Sequence, residues 1–137
     1  MALSSRLTSA LGLFCLTVPM MAHHSFAAEY DSAKTITVKG VVQKVAWVNP
    51  HAYVWVDVKD DSGKMVTYAF ESLSPNALAR SGWTRNSLKP GDEVTVDGYL
   101  AKDGKPLADG SVHANSKLIT LSDGRKVFAG SSADNAK

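Results

Sequence analysis

Cysteine is nearly absent from this chain of 137 residues. The single cysteine, Cys15, lies inside an apolar N-terminal stretch, and it follows Phe14 rather than the small residue that precedes a lipid-modified cysteine. If export removes this stretch, the remaining chain contains no thiol. It then has no disulfide, no thiolate metal ligand and no cysteine nucleophile.

The chain also lacks an excess of charge of either sign. Lys and Arg number 15 and Asp and Glu number 13, which gives a formal net charge of +2. Proteins that bind nucleic acid carry a basic stripe interleaved with aromatic residues. Here the lysines at 34, 39, 44, 59 and 64 are interspersed with aspartates at 31, 57, 60 and 61. We therefore expect no nucleic-acid partner.

The motifs of common enzyme classes are missing as well. The sequence has no phosphate loop, no dinucleotide fingerprint and no HExxH pattern. Ser72 and Ser74 lie outside any G-x-S-x-G elbow. Residues 60–63 (DDSG) lack the spaced carboxylates and the closing glutamate of a calcium loop. We predict that the protein is not an enzyme.

Residues 1–22 have the parts of a secretory signal peptide, with one positive charge ahead of an apolar run and small Ala22 at the end. The run is shorter than the roughly 20 residues that a membrane-spanning helix needs. We predict cleavage after Ala22, export to the periplasm and no stable membrane span in the mature protein. A rival cut after Ala27 would remove residues 23–27.

The remaining chain of about 115 residues is long enough for one domain and too short for two. We predict this domain over residues 23–130, followed by a disordered tail of small and polar residues at 131–137. Apolar residues alternate with polar ones in six segments, which predicts β-strands. These segments are 35–48 with a bend at Gly40, 51–58, 65–71, 93–100, 112–121 and 126–128.

One short helix is expected between the third and fourth strands. Ser74 has the character of an N-cap, Pro75 suits the first helical position and Gly82 closes the segment. Three strands, a helix and then two or three strands is the order of elements in an oligonucleotide/oligosaccharide-binding (OB) fold. We predict an all-β, OB-like, partly open barrel of five to six strands, with a sandwich of six or seven strands as the alternative.

Three histidines form a candidate metal site. Cleavage after Ala22 makes His23 the N-terminal residue, so its amine and its ring Nδ1 can chelate one ion. His24, or His51 in the turn before the second strand, can supply a third nitrogen. Nitrogen ligands suit Cu(II), which has the highest affinity among the common divalent metals. Copper is therefore the candidate cofactor. The fourth histidine, His113, is expected to be an exposed strand position.

Aromatic and basic residues form a second candidate site. The second strand has a purely aliphatic face, predicted to lie in the core, and an opposite face with Tyr53 and Trp55. With Trp47, and with Tyr68 and Phe70 of the third strand, these rings are candidates for a platform that stacks sugars or bases. The platform and the segment after the helix give six candidate ligand-binding residues: Trp47, Tyr53, Trp55, Arg80, Trp83 and Arg85.

Several motifs together resemble a family of exported bacterial proteins of unknown function. They are AHHSF at 22–26, WVNPHA at 47–52 and RSGWTR at 80–85, joined by KGVV, ES, SPN, KPGD and DGR at 39–42, 71–72, 74–76, 89–92 and 123–125. The resemblance covers nearly all of the chain after residue 22. It implies a small periplasmic β-barrel, and the family has no established catalytic or ligand residues to carry over.

Two functions from different classes remain open at this point. The first is a periplasmic binding module that holds copper through His23, His24 and His51, as a chaperone or sensor would. The second is a metal-free accessory domain whose aromatic face binds an envelope protein or a saccharide. Oxidative chemistry at a terminal copper site is a third and weaker hypothesis. The oligomeric state stays open.

Overall fold

The computed structural model describes residues 26–132. The predicted signal peptide 1–22 and the histidine pair His23 and His24 therefore lie outside the described residues. The elements, in chain order, are α1 (Phe26–Glu29), β1 (Tyr30–Ala46), β2 (Tyr53–Lys59), β3 (Met65–Glu71), α2 (Pro75–Arg80), β4 (Glu93–Ala101), β5 (Val112–Leu121) and β6 (Lys126–Val127).

The strand β1 is long enough, at 17 residues, to pair with two neighbours in turn. Its C-terminal part runs antiparallel to β2, and its N-terminal part runs antiparallel to β4. The sheet continues from β2 to β3 and from β4 to β5, and parallel pairing of β3 with β5 closes the ring. The result is a closed five-stranded barrel with β6 as an extra strand on β5.

The predicted all-β barrel with one short helix between its third and fourth strands is therefore confirmed, and it is closed where a partly open barrel was predicted. Because a single sheet closes on itself, the alternative of a sandwich is wrong. The third and fifth strands have the predicted bounds. The first strand begins at Tyr30 instead of residue 35, because the segment after α1 pairs Tyr30 with Ala101 before the register shifts.

Close approach of two strands explains the glycine in the middle of β1. A Cβ atom on Gly40 would lie 2.2 Å from the backbone oxygen of Asp57 on β2. The irregularity predicted at Gly40 lies slightly further along, where the register with β2 shifts between Val42 and Lys44. A bulge of this kind bends the strand and raises its twist, which a small barrel requires.

The short helix α2 forms as its sequence predicts. The Ser74 hydroxyl accepts a hydrogen bond from the backbone N–H of Ala77 at 3.2 Å, and Pro75 takes the first helical position. A helix of six residues has little stability of its own. Apolar residues in and beside the helix hold it. Leu78 of the helix and Leu73 before it are buried in the core, and Trp83 after it packs against the same core.

The core of the barrel is aliphatic along the inward face of β2. Ala52, Val54 and Val56 are fully buried, as predicted, while Val58 is only partly buried. They pack with inward residues of every other barrel strand, among them Val42, Phe70, Val94, Val96 and Ile119. Because side chains alternate along a strand, this burial assigns Tyr53, Trp55 and Asp57 to the outer face.

Two features at the ends of the domain were not predicted. The helical turn α1 precedes β1, with Phe26 buried against Tyr30. At the other end, Ser131 is buried and donates a hydrogen bond from its hydroxyl to Asn115, which in turn donates to Ser132. The packed part of the described chain therefore includes Ser131 and Ser132. Across residues 26–132, no helix has the length and hydropathy to cross a membrane.

We expect Gly40→Ala to lower the free energy of unfolding by about 1–3 kcal/mol, the usual cost of forcing an extra group into a packed position. The reason is that the new methyl group would collide with the backbone of Asp57, which cannot rotate away. Urea unfolding at neutral pH measures the change. Lys39→Ala, at the exposed neighbouring position of β1, is the matched control and should change stability by less than about 0.5 kcal/mol. Equal stability of the two variants would contradict the packing argument.

Candidate functional site

The outer face of the barrel brings together residues from β2, β3 and β5. In the register of these strands Tyr53 lies opposite Glu71, and Trp55 lies opposite Ala69. On its other side Ala69 lies opposite His113 of the parallel strand β5. Ala69 points outward and is nevertheless fully buried. The larger side chains around it therefore cover this part of the sheet.

Glu71 is the centre of this face. Its side chain is buried, with 5% of the residue exposed, and its two oxygens contact three polar side chains. Oε1 lies 2.8 Å from Nδ1 of His51. Oε2 accepts hydrogen bonds from the hydroxyl of Tyr30 at 2.6 Å and from the hydroxyl of Tyr53 at 3.0 Å. Such a set of donors compensates a carboxylate for the loss of water.

Counting donors and acceptors assigns the proton positions. An ionised carboxylate can only accept, so the 2.8 Å contact with Glu71 favours a hydrogen on Nδ1 of His51. The second ring nitrogen of His51, Nε2, has no hydrogen-bond partner within residues 26–132. The His51 side chain is 26% exposed. This nitrogen is therefore available to a ligand while the ring itself is held in one orientation.

His113 joins the same cluster from the opposite side. Its Nε2 lies 2.8 Å from the hydroxyl oxygen of Tyr30. Since the Tyr30 proton is already given to Glu71, this nitrogen donates to the Tyr30 oxygen and Nδ1 is left unprotonated in the neutral ring. The prediction of a simple exposed strand position for His113 is wrong, because the ring is partly buried edge-on against Tyr30.

Both tyrosines at Glu71 hold their protons more strongly than usual. Burial raises the pKa of Tyr30 far above its ordinary value of about 10, and the hydrogen bond to Glu71 and its negative charge add to this. Burial also raises the pKa of Tyr53, followed by the charge of Glu71 and the hydrogen bond to it. Both hydroxyls therefore remain donors throughout the neutral range.

The segment α1 fixes Tyr30 in the cluster. The ring of Phe26 packs against Tyr30, with ring centroids 5.5 Å apart, and edge-on against Tyr99 at 5.2 Å. Lys102 holds the same segment by two contacts, because its backbone N–H donates to the carbonyl of Glu29 at 2.8 Å and its ammonium donates to the carbonyl of Ala27. The segment α1, which leads into β1, is thus packed against the barrel next to the cluster.

The predicted aromatic platform divides into three groups. Tyr53 and Trp55 lie side by side on the outer face, with ring centroids 5.6 Å apart. Phe70 is fully buried and, with Tyr68 stacked on it, belongs to the interior side of β3. Trp47 lies elsewhere, against Phe128 at 6.0 Å. The prediction of a single stacking surface across all five rings is therefore wrong.

The residues after α2 do not join this face either. Trp83 packs edge-on against Phe128, with ring centroids 6.5 Å apart, so it lies beside Trp47 at the edge of the core. Arg80 and Arg85 are exposed. In the part of the chain that the structure describes, the one cation–π contact joins Lys44 to Trp55, and neither arginine stacks on Trp83.

Sequence reasoning identified His51, Tyr53 and Trp55 but missed Glu71, Tyr30 and His113 as members of one cluster. Tyr30 and Glu71 are 41 positions apart in the sequence, and Tyr30 and His113 are 83 positions apart. No local spacing predicts such contacts. The only signal was the period of two in β3, which assigns Glu71 and Ala69 to the same face.

A complete metal site is not visible among the described residues. No group of three or more His, Cys, Asp or Glu side chains within 26–132 has a geometry that could hold an ion. His51 could supply one ligand nitrogen. The other two predicted ligands, His23 and His24, lie outside the described part of the chain.

Comparison with protein families identifies the family of this chain. Residues 10–110 match the model of a family of unknown function, DUF6152. The chain belongs to this family. The DUF6152 match includes His23, His24, His51 and Glu71 and ends before His113. No curated protein and no solved structure matches the chain.

We expect Tyr30→Phe to destabilise the domain by about 1–3 kcal/mol. The variant keeps the ring but removes a donor to buried Glu71 and leaves Nε2 of His113 without its acceptor. Tyr99→Phe is the matched control, because Tyr99 contacts Phe26 only through its ring. Urea unfolding of both variants at pH 7 measures the difference, and equal losses would contradict a role for the hydroxyl.

Stability should also fall at alkaline pH. Since the pKa of Tyr30 is raised in the folded protein, the unfolded chain loses this proton above pH 10 while the folded protein keeps it. The stabilisation linked to the Tyr30 proton is complete below pH 10. As pH rises further, the free energy of unfolding falls by up to about 1.4 kcal/mol per pH unit for this one hydroxyl. Tyr30→Phe should lose less stability between pH 9 and pH 11 than the unmodified protein. Parallel curves for the two proteins would exclude this origin.

Proposed function

We propose that this DUF6152 protein is a periplasmic, OB-type binding module that holds a copper ion through His23, His24 and His51 and has no catalytic activity. The observation that carries the proposal is the 2.8 Å contact between Nδ1 of His51 and the carboxylate of buried Glu71. Histidine ligands of metal ions usually donate their second ring nitrogen to a carboxylate, which fixes the ring and raises its basicity. In His51 the nitrogen next to the carboxylate is Nδ1, which leaves Nε2 for an ion.

The position of α1 supports a shared site for the three histidines. Phe26 is anchored against Tyr30, and Tyr30 bonds to the same carboxylate as His51. His24 precedes Phe26 by two residues, so their Cα atoms are separated by at most about 7 Å. The described chain thus begins at a residue that is anchored next to the cluster.

The role of Phe26 also supports a signal cut ahead of it. A cut after Ala27 would remove a buried ring and its contacts with Tyr30 and Tyr99. A cut after Ala22 retains them and makes His23 the first residue. Its amine and Nδ1, with a third nitrogen from another histidine, give the nitrogen-rich set that Cu(II) prefers.

The strand connections support the OB assignment. The barrel order is β1, β2, β3, β5 and β4, with β3 and β5 parallel and α2 between β3 and β4. OB barrels bind ligands on the face of their second and third strands, next to the loops that follow the first and fourth. His51 lies in the first of these loops, and Glu71 ends the third strand.

A second candidate function has its own supporting observation. Tyr53 and Trp55 lie side by side on that outer face, where a saccharide or an envelope protein could contact them without any metal. Of the six predicted ligand-binding residues, these two are the ones that share a surface with His51.

Titration of Cu(II) into the exported protein tests the copper proposal. We expect an intact mass that begins at His23, and an electron paramagnetic resonance spectrum with nitrogen ligation. His51→Ala should abolish the defined site. Glu71→Gln should weaken it by about 10-fold to 100-fold, because it leaves the ligand but changes the group that orients it.

His113→Ala is the matched control, since it removes a histidine whose Nε2 is bonded to Tyr30 instead of Glu71. This variant should keep the copper site. A mature chain that begins at Ala28, or affinity no higher than that of a free peptide with the same N-terminus, would overturn the proposal. So would loss of the site in His113→Ala with retention in His51→Ala.

A further inference from the structure

A polar groove lies on the outer face beside Trp55. It has a volume of about 400 Å³ and lies between the start of β3 and the loop that connects β4 to β5. Its walls include Gln43, Trp55, Lys64, Met65, Thr67 and Asp109. None of the side chains that contact Glu71 lines it, so the groove is distinct from that cluster. The volume is sufficient for one or two sugar rings.

The groove opens where β3 has a neighbour on one side only. The strand pairs with β2 along its whole length, from Met65 to Glu71, but it pairs with β5 only from Tyr68 onward. Residues 65–67 therefore have one edge without a strand beside it. Three residues is the lower limit for a strand, so this edge is too short to hold an extended peptide as an added strand. A compact ligand suits it better.

The aromatic wall of the groove is held in a fixed orientation. The indole N–H of Trp55 donates to Oδ2 of Asp109 at 2.9 Å, and Asp109 is itself held by hydrogen bonds from the backbone and hydroxyl of Ser111. The ammonium of Lys44 lies over one face of the indole, 3.9 Å from the ring centre. Lys44 does not line the groove, so the groove meets a part of Trp55 that Lys44 leaves open. A ring that is fixed before binding loses little entropy when a ligand stacks on it.

The charges around the groove balance one another. Hydrogen bonds within its turn, followed by the positive charge of Lys64, lower the pKa of Asp60. Hydrogen bonds, first of all from its own loop, and then the positive charge of Lys44 lower the pKa of Asp109. Each lysine beside the groove thus has an aspartate as its electrostatic neighbour. The groove therefore has no excess charge with which to select an ionic ligand.

The remaining hydrogen-bonding groups are uncharged. Gln43 donates from its amide nitrogen to Asp57 at 3.3 Å, which leaves its carbonyl oxygen to accept. Thr67 donates its hydroxyl proton to Asp57 at 2.6 Å, so its oxygen can also accept. The backbone edge of residues 65–67 adds amide and carbonyl groups. Hydroxyl groups of a ligand both donate and accept, and they match this mixed set without any charge.

We infer that the groove binds a neutral oligosaccharide of hexopyranose units, with the C–H face of one sugar ring on Trp55 and its hydroxyl groups at Gln43 and Thr67. This inference rests on the second candidate function and names its ligand. A purely apolar ligand would leave the polar walls without partners, and an acidic sugar would bring a charge that no free cation of the groove meets. Copper binding at His51 does not depend on the inference.

Nuclear magnetic resonance titration with cellotriose tests the inference. All ring substituents of this sugar are equatorial, so each ring presents apolar C–H faces. The chain has three tryptophans, Trp47, Trp55 and Trp83, which give three indole N–H signals. We expect the signal that is missing from Trp55→Phe to shift on titration while the other two stay in place. Added salt should leave the affinity unchanged, because no ion pair forms. The acidic form of cellotriose, oxidised at C6, should bind at least 5-fold more weakly.

Variants separate stacking from folding. Trp55→Ala should lower the affinity for cellotriose at least 10-fold, and Trp55→Phe at least 3-fold because the indole bond to Asp109 is lost. Trp83→Phe is the matched control, since Trp83 packs at the edge of the core, and it should leave the affinity unchanged. Asp109→Ala should weaken binding at least 3-fold by releasing the ring. Asp109→Asn keeps an acceptor for the indole and should restore most of the loss.

The possible failures are distinguishable. Binding of cellotriose without a shift of the Trp55 signal would overturn the groove while leaving a saccharide function in place. Equal or tighter binding of the oxidised sugar would overturn the neutral ligand. No binding of either sugar at millimolar concentration would overturn the inference and leave the second candidate function with an envelope protein only. Copper titration of Trp55→Ala reports on the metal site separately.

Discussion

The buried carboxylate of Glu71 is the interaction on which this face of the molecule depends. Removing a carboxylate from water is costly unless hydrogen bonds replace the lost solvent. Here Tyr53 on β2 and Tyr30 at the start of β1 donate hydrogen bonds, and His51 before β2 lies 2.8 Å from the other carboxylate oxygen. One charge therefore holds the N-terminal segment, the first loop and the end of β3 together.

The closed barrel makes this arrangement possible. Because β3 pairs with β2 on one side and with β5 on the other, Glu71 and His113 reach one outer surface. Tyr30 then covers them from β1, and Phe26 holds Tyr30 in place. The same surface continues past Tyr53 to Trp55 and its groove. Tyr53 links the two regions, because its hydroxyl donates to Glu71 and its ring contacts Trp55.

Local sequence signals predicted most of the fold. The period of two in β2 identified Ala52, Val54 and Val56 as core residues, and the Ser74 and Pro75 pair identified the start of α2. These predictions succeeded because each depends on neighbours within a few residues. The cluster was predicted only in part, through His51 and Tyr53, because the contacts of Tyr30, Glu71 and His113 join distant parts of the chain.

By itself, the sequence determined the strands, the short helix and which side of β2 faces the core, since alternation and capping are local properties. Tertiary structure alone decided which polar residues meet. It separated Trp47 and Trp83 from Tyr53 and Trp55. It also gave His113 a partner that no spacing predicts. The physical reason is barrel closure, because pairing β3 with β5 fixes contacts between residues that local patterns cannot relate.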